Sequence, residues 1–276
     1  MGSIRIVSLL STPVVVGFDT NIRRLCTLGP KATTFSSTTD SLVYVAEGDL
    51  RQLHEQPSAV DDETDAREKL ICWEAFKALV PRYVSAKYDK GPFKLICDDW
   101  GPANMIVNNE RDLRIVGVID WEWSYAGPCQ LFCSPPHWLL LDSPNYWFND
   151  HDRVAARYER SLEMFLRILE EEEGAQLGDD TTQLEKLSAL MREGREGGRM
   201  WFHSIVRQGF NGPDMLVWER LRAATPDFDQ LVEAIPEEKV TTFIKEKMVA
   251  LEKYRLKRDE KQKWFEIQTT STGREG

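Results

Sequence analysis

The sequence predicts an α+β protein that is mostly α. Three observations carry this expectation. Apolar residues recur at helical spacing through long stretches on both sides of a short central region. That region, residues 93–119, instead alternates strand-like apolar runs with a polar turn. The 276 residues also include nine Trp, twelve Phe and seven Tyr, ample surface for a packed core. A hydrophobic fraction of 42% with 29% charged residues fits a soluble globular chain and excludes general disorder. Lys and Arg total 35 against 45 Asp and Glu, a formal net charge of −10, which argues against a phosphate-backbone binder. Cationic or neutral partners stay open.

In chain order, residues 3–9 and 14–18 read as two short strands joined at Thr12-Pro13. The run resembles a leader only superficially: Ser8, Ser11, Thr12, Pro13 and Gly17 interrupt it, and no small-x-small site follows. Ile6 stands where a myristoylation start wants Ser or Thr. Residues 28–39 are turn-rich. Asp40 is a candidate cap for a helix running to about Gln56, and Pro57 ends it. A second helix starts near Asp61, with Leu70, Trp73, Phe76 and Leu79 for its apolar face. Gly91-Pro92 breaks the chain.

Phe93 to Ile96 then reads as a strand. Met105-Ile106-Val107 and residues 113–119 flank the polar Asn108-Asn109-Glu110-Arg111-Asp112, which is a β-hairpin pattern. The remainder is helical. Pro135-Pro136 precedes a short segment, 138–141. A long helix from Asp150 or Asp152 carries Val154, Tyr158, Leu162, Phe165, Leu166 and Leu169 on one face. Its acidic run, Glu170 to Glu173, stands at a helix C-terminus, where fraying and solvation are expected. One further helix spans Leu184 to Ile205, with Gly194, Gly197 and Gly198 permitting a bend or close packing. Short helices follow at 214–223 and 226–234, then a long one at about 236–264. A polar tail, 265–276, is expected to be disordered.

The chemistry concentrates between Cys97 and Glu122. Asp99 and Asn104 lie five apart across a Gly-Pro turn, directly after a strand, and Asp120 ends the hairpin. That layout suits a metal-bound triphosphate facing an acceptor hydroxyl. One carboxylate accepts the hydroxyl proton, while an amide oxygen and a second carboxylate supply hard ligands for Mg²⁺. Alone, D-x-x-x-x-N is a weak signal.

FKLICDDWGPANMIV followed by LRIVGVIDWEWSYAGP resembles the aminoglycoside phosphotransferase and choline kinase-like family, with its fungal members offering the nearest pattern. The resemblance extends to the PPHWLLL run and, more loosely, over most of the chain. It implies a protein kinase-like C-lobe over 1–270, with a catalytic segment at 93–142 and a helical subdomain at 150–264. It places Asp99 on the catalytic base, Asn104 and Asp120 on the metal ligands, and Glu122 on an acidic residue orienting the site. Mg²⁺ and ATP are the cofactors implied, and a small-molecule hydroxyl compound, cationic or neutral, is the acceptor.

The chain departs from the family pattern in two places. Cys97 stands where His is usual, and reads as a small buried residue rather than a reactive thiol. No G-x-G-x-x-G loop occurs, and Lys31, the only Lys in the first 68 residues, follows no V-A-x-K strand. The expectation is therefore a C-lobe whose N-lobe is absent: a truncated phosphotransferase, weakly active or inactive alone, with nucleotide-contacting residues unknown. The alternative is a non-catalytic, pseudokinase-type binding or regulatory fragment. A metal-dependent hydrolase is a weaker third reading, because the usual dense His/Asp cluster is missing.

Five cysteines, an odd number without C-x-x-C spacing, argue for reduced thiols in a cytoplasmic setting and against a disulfide scaffold or a zinc site. No run suits a membrane span. Neither nucleic acid nor membrane is expected as a partner. Self-association is open through the face that a missing lobe would leave. His137, Trp121, Trp123 and Trp138 are further candidates for the substrate side, each with core packing as the competing role. The mixed charges of the last helix read as a solvated face.

Overall fold

The computed structural model describes residues 34–122, 124–140, 151–177, 186–208 and 216–272. The strands expected at 3–9 and 14–18, Lys31 and Trp123 fall outside that set, as does any apolar face near those strands. Two compact units emerge. One takes residues up to Val45 and Leu79–Pro226; the other takes Ala46–Ala78 and the chain from Asp227. Mostly helical structure with a small antiparallel β region is what the sequence predicts.

In the first unit, helix α1 (Thr38–Glu55) begins two residues before the expected cap, Asp40. Ser37 is the actual cap, its Oγ accepting the Asp40 amide at 3.0 Å, and Asp40 sits in the first turn. The Asp89 carboxylate accepts both the amide and the hydroxyl of Thr39, at 2.9 and 2.8 Å. Helix α2 (Glu63–Tyr83) ends in this unit. After Gly91-Pro92, β1 (Phe93–Cys97) pairs antiparallel with β4 (Ser124–Pro128), from Phe93 opposite Pro128 to Cys97 opposite Ser124. Strand β4 is not visible in the sequence, because Ser-Tyr-Ala-Gly-Pro lacks alternation. Its Gly127 is required by close approach: a Cβ there would lie 2.6 Å from the Tyr125 ring and 2.8 Å from Ile96 Cδ1. The short α3 (Cys129–Phe132) follows. Buried Gln130 accepts the Ser85 amide at 2.7 Å and donates to the Ser85 carbonyl and the Thr38 hydroxyl, each at 3.3 Å.

The helical part of this unit packs α4 (His151–Leu177) against α5 (Leu187–Glu196), and α5 against α6 (Arg199–Gln208). Tyr158, Leu162, Leu166, Met191, Met200 and Leu216 form its buried core, the last from α7 (Leu216–Ala223). The acidic run of α4 does not fray. The helix continues through Gly174 to Leu177 because its carboxylates have partners on α5. Glu173 accepts the Ser188 amide at 3.2 Å, at the N-terminus of α5. Arg192 pairs with Glu170 at 2.8 Å and Glu163 at 3.0 Å, and its guanidinium holds both carboxyls below their ordinary range. The single helix expected over 184–205 is two helices, because Gly197 caps α5 and Gly198 adopts φ +74°.

His203 on α6 is fully buried, with Nδ1 against the Ser134 hydroxyl. Burial lowers its pKa well below 6.5, reinforced by Arg207 and Arg199. Below pH 6.5 the unfolded chain therefore binds a proton that the folded one refuses. Stability is retained above that value and falls as pH drops, by up to about 1.4 kcal/mol per pH unit. Urea midpoints at pH 7 and pH 5 check this: His203→Asn should show a shallower loss than wild type, and parallel losses would contradict it.

The second unit holds the end of α1, a 3-10 turn at Pro57–Ala59, most of α2, α8 (Phe228–Glu233) and α9 (Glu237–Thr272). Asp62 accepts the Asp65 amide at 2.9 Å at the start of α2. Leu53, Leu70, Trp73, Phe76, Val240, Phe243 and Leu251 are buried. Arg67 clamps Glu237 with two bonds of 2.7 and 2.6 Å. Helix α9 runs past Trp264 to Thr272, so the expected tail is helical over 265–272. No described helix is long and apolar enough to cross a membrane.

Candidate functional site

The site residues of the sequence lie in the first unit, where β1 meets the hairpin of β2 (Met105–Val107) and β3 (Ile115–Val118). Strand β1 ends at Cys97, and the chain turns at once: the Trp100 amide donates to the Cys97 carbonyl at 3.2 Å. A 3-10 turn, Pro102–Asn104, follows, closed by the Asn104 amide on Gly101 O at 3.0 Å. Within it, Asn104 Nδ2 donates to the Asp99 backbone carbonyl at 2.8 Å and to Asp99 Oδ2 at 2.9 Å. The spacing of five residues is thus the span over which one side-chain amide can hold both the peptide and the carboxylate of Asp99.

The hairpin then brings Asp120 back. Met105 opposes Val118 and Ile106 opposes Gly117, with an irregularity before Val107 pairs with Ile115. Its polar turn is built as the sequence predicts. Asn108 Oδ1 accepts the amides of Asn109 and Arg114 at 2.9 and 3.0 Å, and Asn109 Oδ1 accepts those of Arg111 and Asp112 at 2.9 Å. Beyond β3 the Ile119 amide donates to the Asn104 carbonyl at 3.0 Å, which sets the next residue, Asp120, beside the Asn104 turn. Asp120 has φ +62°, a left-handed conformation that Asp tolerates better than most side chains. The half-buried Cys97 faces its carbonyl, Sγ to O 3.9 Å. Cys97 therefore serves here as a contact that supports the Asp120 backbone.

Asp99 and Asn104 are thus joined directly, the backbone leading into Asp120 is bonded to the Asn104 carbonyl, and both carboxylates are exposed to solvent. Glu122 is also exposed, in the turn that leads into β4, and no hydrogen bond joins it to the other three among the described residues. Its expected orienting role gains no such bond. Among the described residues no group of three or more His, Cys, Asp or Glu gathers as a metal centre. Asn104 Oδ1 and the Asp120 carboxylate could each offer a hard oxygen to a cation. Two such oxygens suit Mg²⁺, which keeps waters and takes phosphate oxygens for the rest of its shell.

The indoles of Trp100 and Trp121 meet edge to face at 5.9 Å, and Trp121 Nε1 donates to Val118 O at 3.0 Å. Trp138 packs edge to face on Phe165 at 6.1 Å, which makes it a packing residue. His137 begins a 3-10 turn, His137–Leu140. Ile106, Val107, Ile115, Val116 and Ile119 are exposed along the hairpin. Cys72, Cys97, Cys129 and Cys133 are thiols, and burial pushes Cys129 up to about 11.

Sequence reasoning missed the groups under Asp98. Tyr125 Oη donates to Asp98 Oδ1 at 3.2 Å, and Arg207 Nε lies 3.5 Å from the same oxygen. The neighbouring Asp98-Asp99 pair was visible as a motif, but nothing in it pointed to a guanidinium from α6. No family model, curated protein or solved structure matches the chain.

Proposed function

We propose that segment 97–122 is the metal and acceptor side of a phosphotransfer site, taking ATP with Mg²⁺ and a small-molecule hydroxyl. The observation that carries this reading is the Asn104 side chain. It donates through Nδ2 to Asp99, which directs its hard oxygen to another partner. Asn104 Oδ1 and the Asp120 carboxylate would hold the cation. When bound, Mg²⁺ neutralises charge on the phosphate oxygens. Asp99 accepts the proton of the acceptor hydroxyl, oriented for that task by the two bonds from Asn104. Cys97 and the Ile119 amide keep Asp120 at the rim of the same turn. An exposed setting suits a solvated metal-phosphate, and the net charge of −10 favours a cationic or neutral acceptor.

The sequence carries no glycine-rich phosphate loop, so the expected affinity is weak, about millimolar. Titration calorimetry with Mg-ATP tests the reading. Wild type should bind, and EDTA or Asp120→Ala should abolish the heat. Equal binding by wild type and Asp120→Ala would contradict it, as would none by either.

A second reading is favoured by the hairpin's exposed Ile106, Val107, Ile115 and Val116. Exposed apolar side chains on a hairpin are a feature that another chain could cover. A binding protein without catalysis would keep this surface and show no cation-dependent nucleotide binding.

A further inference from the structure

We infer that Arg207 is a positioning residue of this site, holding Asp99 in place through Asp98. The inference rests on the phosphotransfer reading for its consequence, and on geometry alone for the clamp itself.

Arg207 lies in the last turn of α6, one helical turn beyond the buried His203. Its side chain is only 14% exposed, and a guanidinium so placed needs acceptors for its donors. It has an acceptor on one element and an ion-pair partner on another. Nη2 donates to the Leu131 carbonyl in α3, and Nε lies 3.5 Å from Asp98 Oδ1. The Asp98 side chain is 26% exposed, and Tyr125 of β4 donates to the same oxygen from another side. Asp98 is therefore anchored inward by a cation and a phenol.

Asp99 is the next residue. Its carbonyl and carboxylate are held from the far side by Asn104, at 2.8 and 2.9 Å. The dipeptide is clamped between an inner pair, Arg207 and Tyr125, and an outer amide. With the outer bond alone, Asn104 and Asp99 could swing together, because both sit on the same turn. The inner anchor ties that turn to α6 and β4, which are built by other parts of the chain. A partly buried ion pair is suited to fixing such a position, since removal of either charge takes away an attraction that is little screened by solvent. Asn104, a proposed cation ligand, is bonded to Asp99, so loosening this turn should weaken cation affinity toward the lower end of the roughly 10–100-fold seen when a ligand's own partner is removed.

Hydrogen exchange and Mg-ATP calorimetry on the full chain separate the clamp from a general structural role. The variants are Asp98→Asn, Arg207→Met and Arg207→Lys. Asp98→Asn removes the charge but leaves the Arg207 bond to Leu131. It should speed exchange of the Trp100 and Asn104 amides while the amides of α4 stay at wild-type rates. Mg-ATP affinity should fall about tenfold. Arg207→Met should do the same, and Arg207→Lys should restore part of both. Unchanged loop exchange in Asp98→Asn would overturn the clamp, as would acceleration spread evenly through α3, α4 and α6. Faster loop exchange with unaltered affinity would overturn the positioning role. A wild type that binds no Mg-ATP would refute the phosphotransfer reading and with it this consequence, while the exchange data would still decide the clamp.

Discussion

Replacing Gly198 by alanine is expected to destabilise the first unit by about 3 kcal/mol. Two effects add. Gly198 has φ +74°, a region where an L side chain is strained by about 1–2 kcal/mol. A Cβ at this position would also lie 2.5 Å from the Cβ of Ala224 and 3.4 Å from Tyr83 Oη. Neither neighbour can easily yield. Tyr83 stacks on Phe202 at 4.9 Å and its hydroxyl meets Thr225 Oγ1 at 2.7 Å, while Ala224 follows α7 directly. Urea denaturation gives the measurement. The paired variant Gly198→Ala with Ala224→Gly should recover the steric part and not the backbone part. A single-variant loss under about 0.5 kcal/mol would show that the α5–α6 junction is looser than described.

Lys247→Met is expected to cost the second unit about 3 kcal/mol. The reason starts at Pro57. Leu53 is in the last turn of α1, and the residue four positions on, Pro57, has no amide hydrogen to give its carbonyl. Lys247, buried on α9, supplies the donor. Its ammonium reaches the Leu53 carbonyl, His54 O at 3.4 Å and Gln56 O at 2.5 Å. A cation at a helix C-terminus also complements the macrodipole. Methionine fills similar volume and offers no hydrogen, so these carbonyls would be left without that donor. Burial, then the charge of Lys69, pushes the Lys247 pKa from 10.5 down to about 8. Between those values the unfolded chain holds more protons than the folded one, so stability rises with pH across that window. The neutral amine keeps two N–H donors, so the cap survives its own titration. Denaturation at pH 7 and pH 10 checks both points. The methionine variant should be weaker at both values and lack the wild-type rise.

These two cases mark where the sequence was legible and where it was not. Helices α1, α2, α4 and α9 are plain from apolar spacing, because each buries one face. The Asp99–Asn104 turn and the hairpin that follows it are legible for a different reason: both are closed by residues near in sequence, so short-range pattern suffices. Strand β4 escapes because its pairing with β1 is non-local and its residues lack alternation. Lys247 and Leu53 are 194 residues apart, and no local signal links a lysine to a carbonyl that Pro57 leaves without its helical donor. The acidic run of α4 reads as a fraying end until Arg192 and Ser188 arrive from α5. Gly197-Gly198 reads as a bend, and the cap at Gly197 with φ +74° at Gly198 makes it a break between helices. Glu122 was chosen by its neighbourhood in the motif, and no hydrogen bond among the described residues joins it to Asp99, Asn104 or Asp120.

Electron spin resonance of Mn²⁺ in the presence of ATP tests the central claim most directly, since Mn²⁺ takes the same hard oxygen ligands as Mg²⁺. Adding wild-type protein to Mn-ATP should change the spectrum as the protein supplies ligands. Asn104→Ala and Asp120→Ala should each abolish that change, while Glu122→Gln should leave it intact. An equal change with wild type and both alanine variants, or none with wild type, would contradict a cation site at this turn.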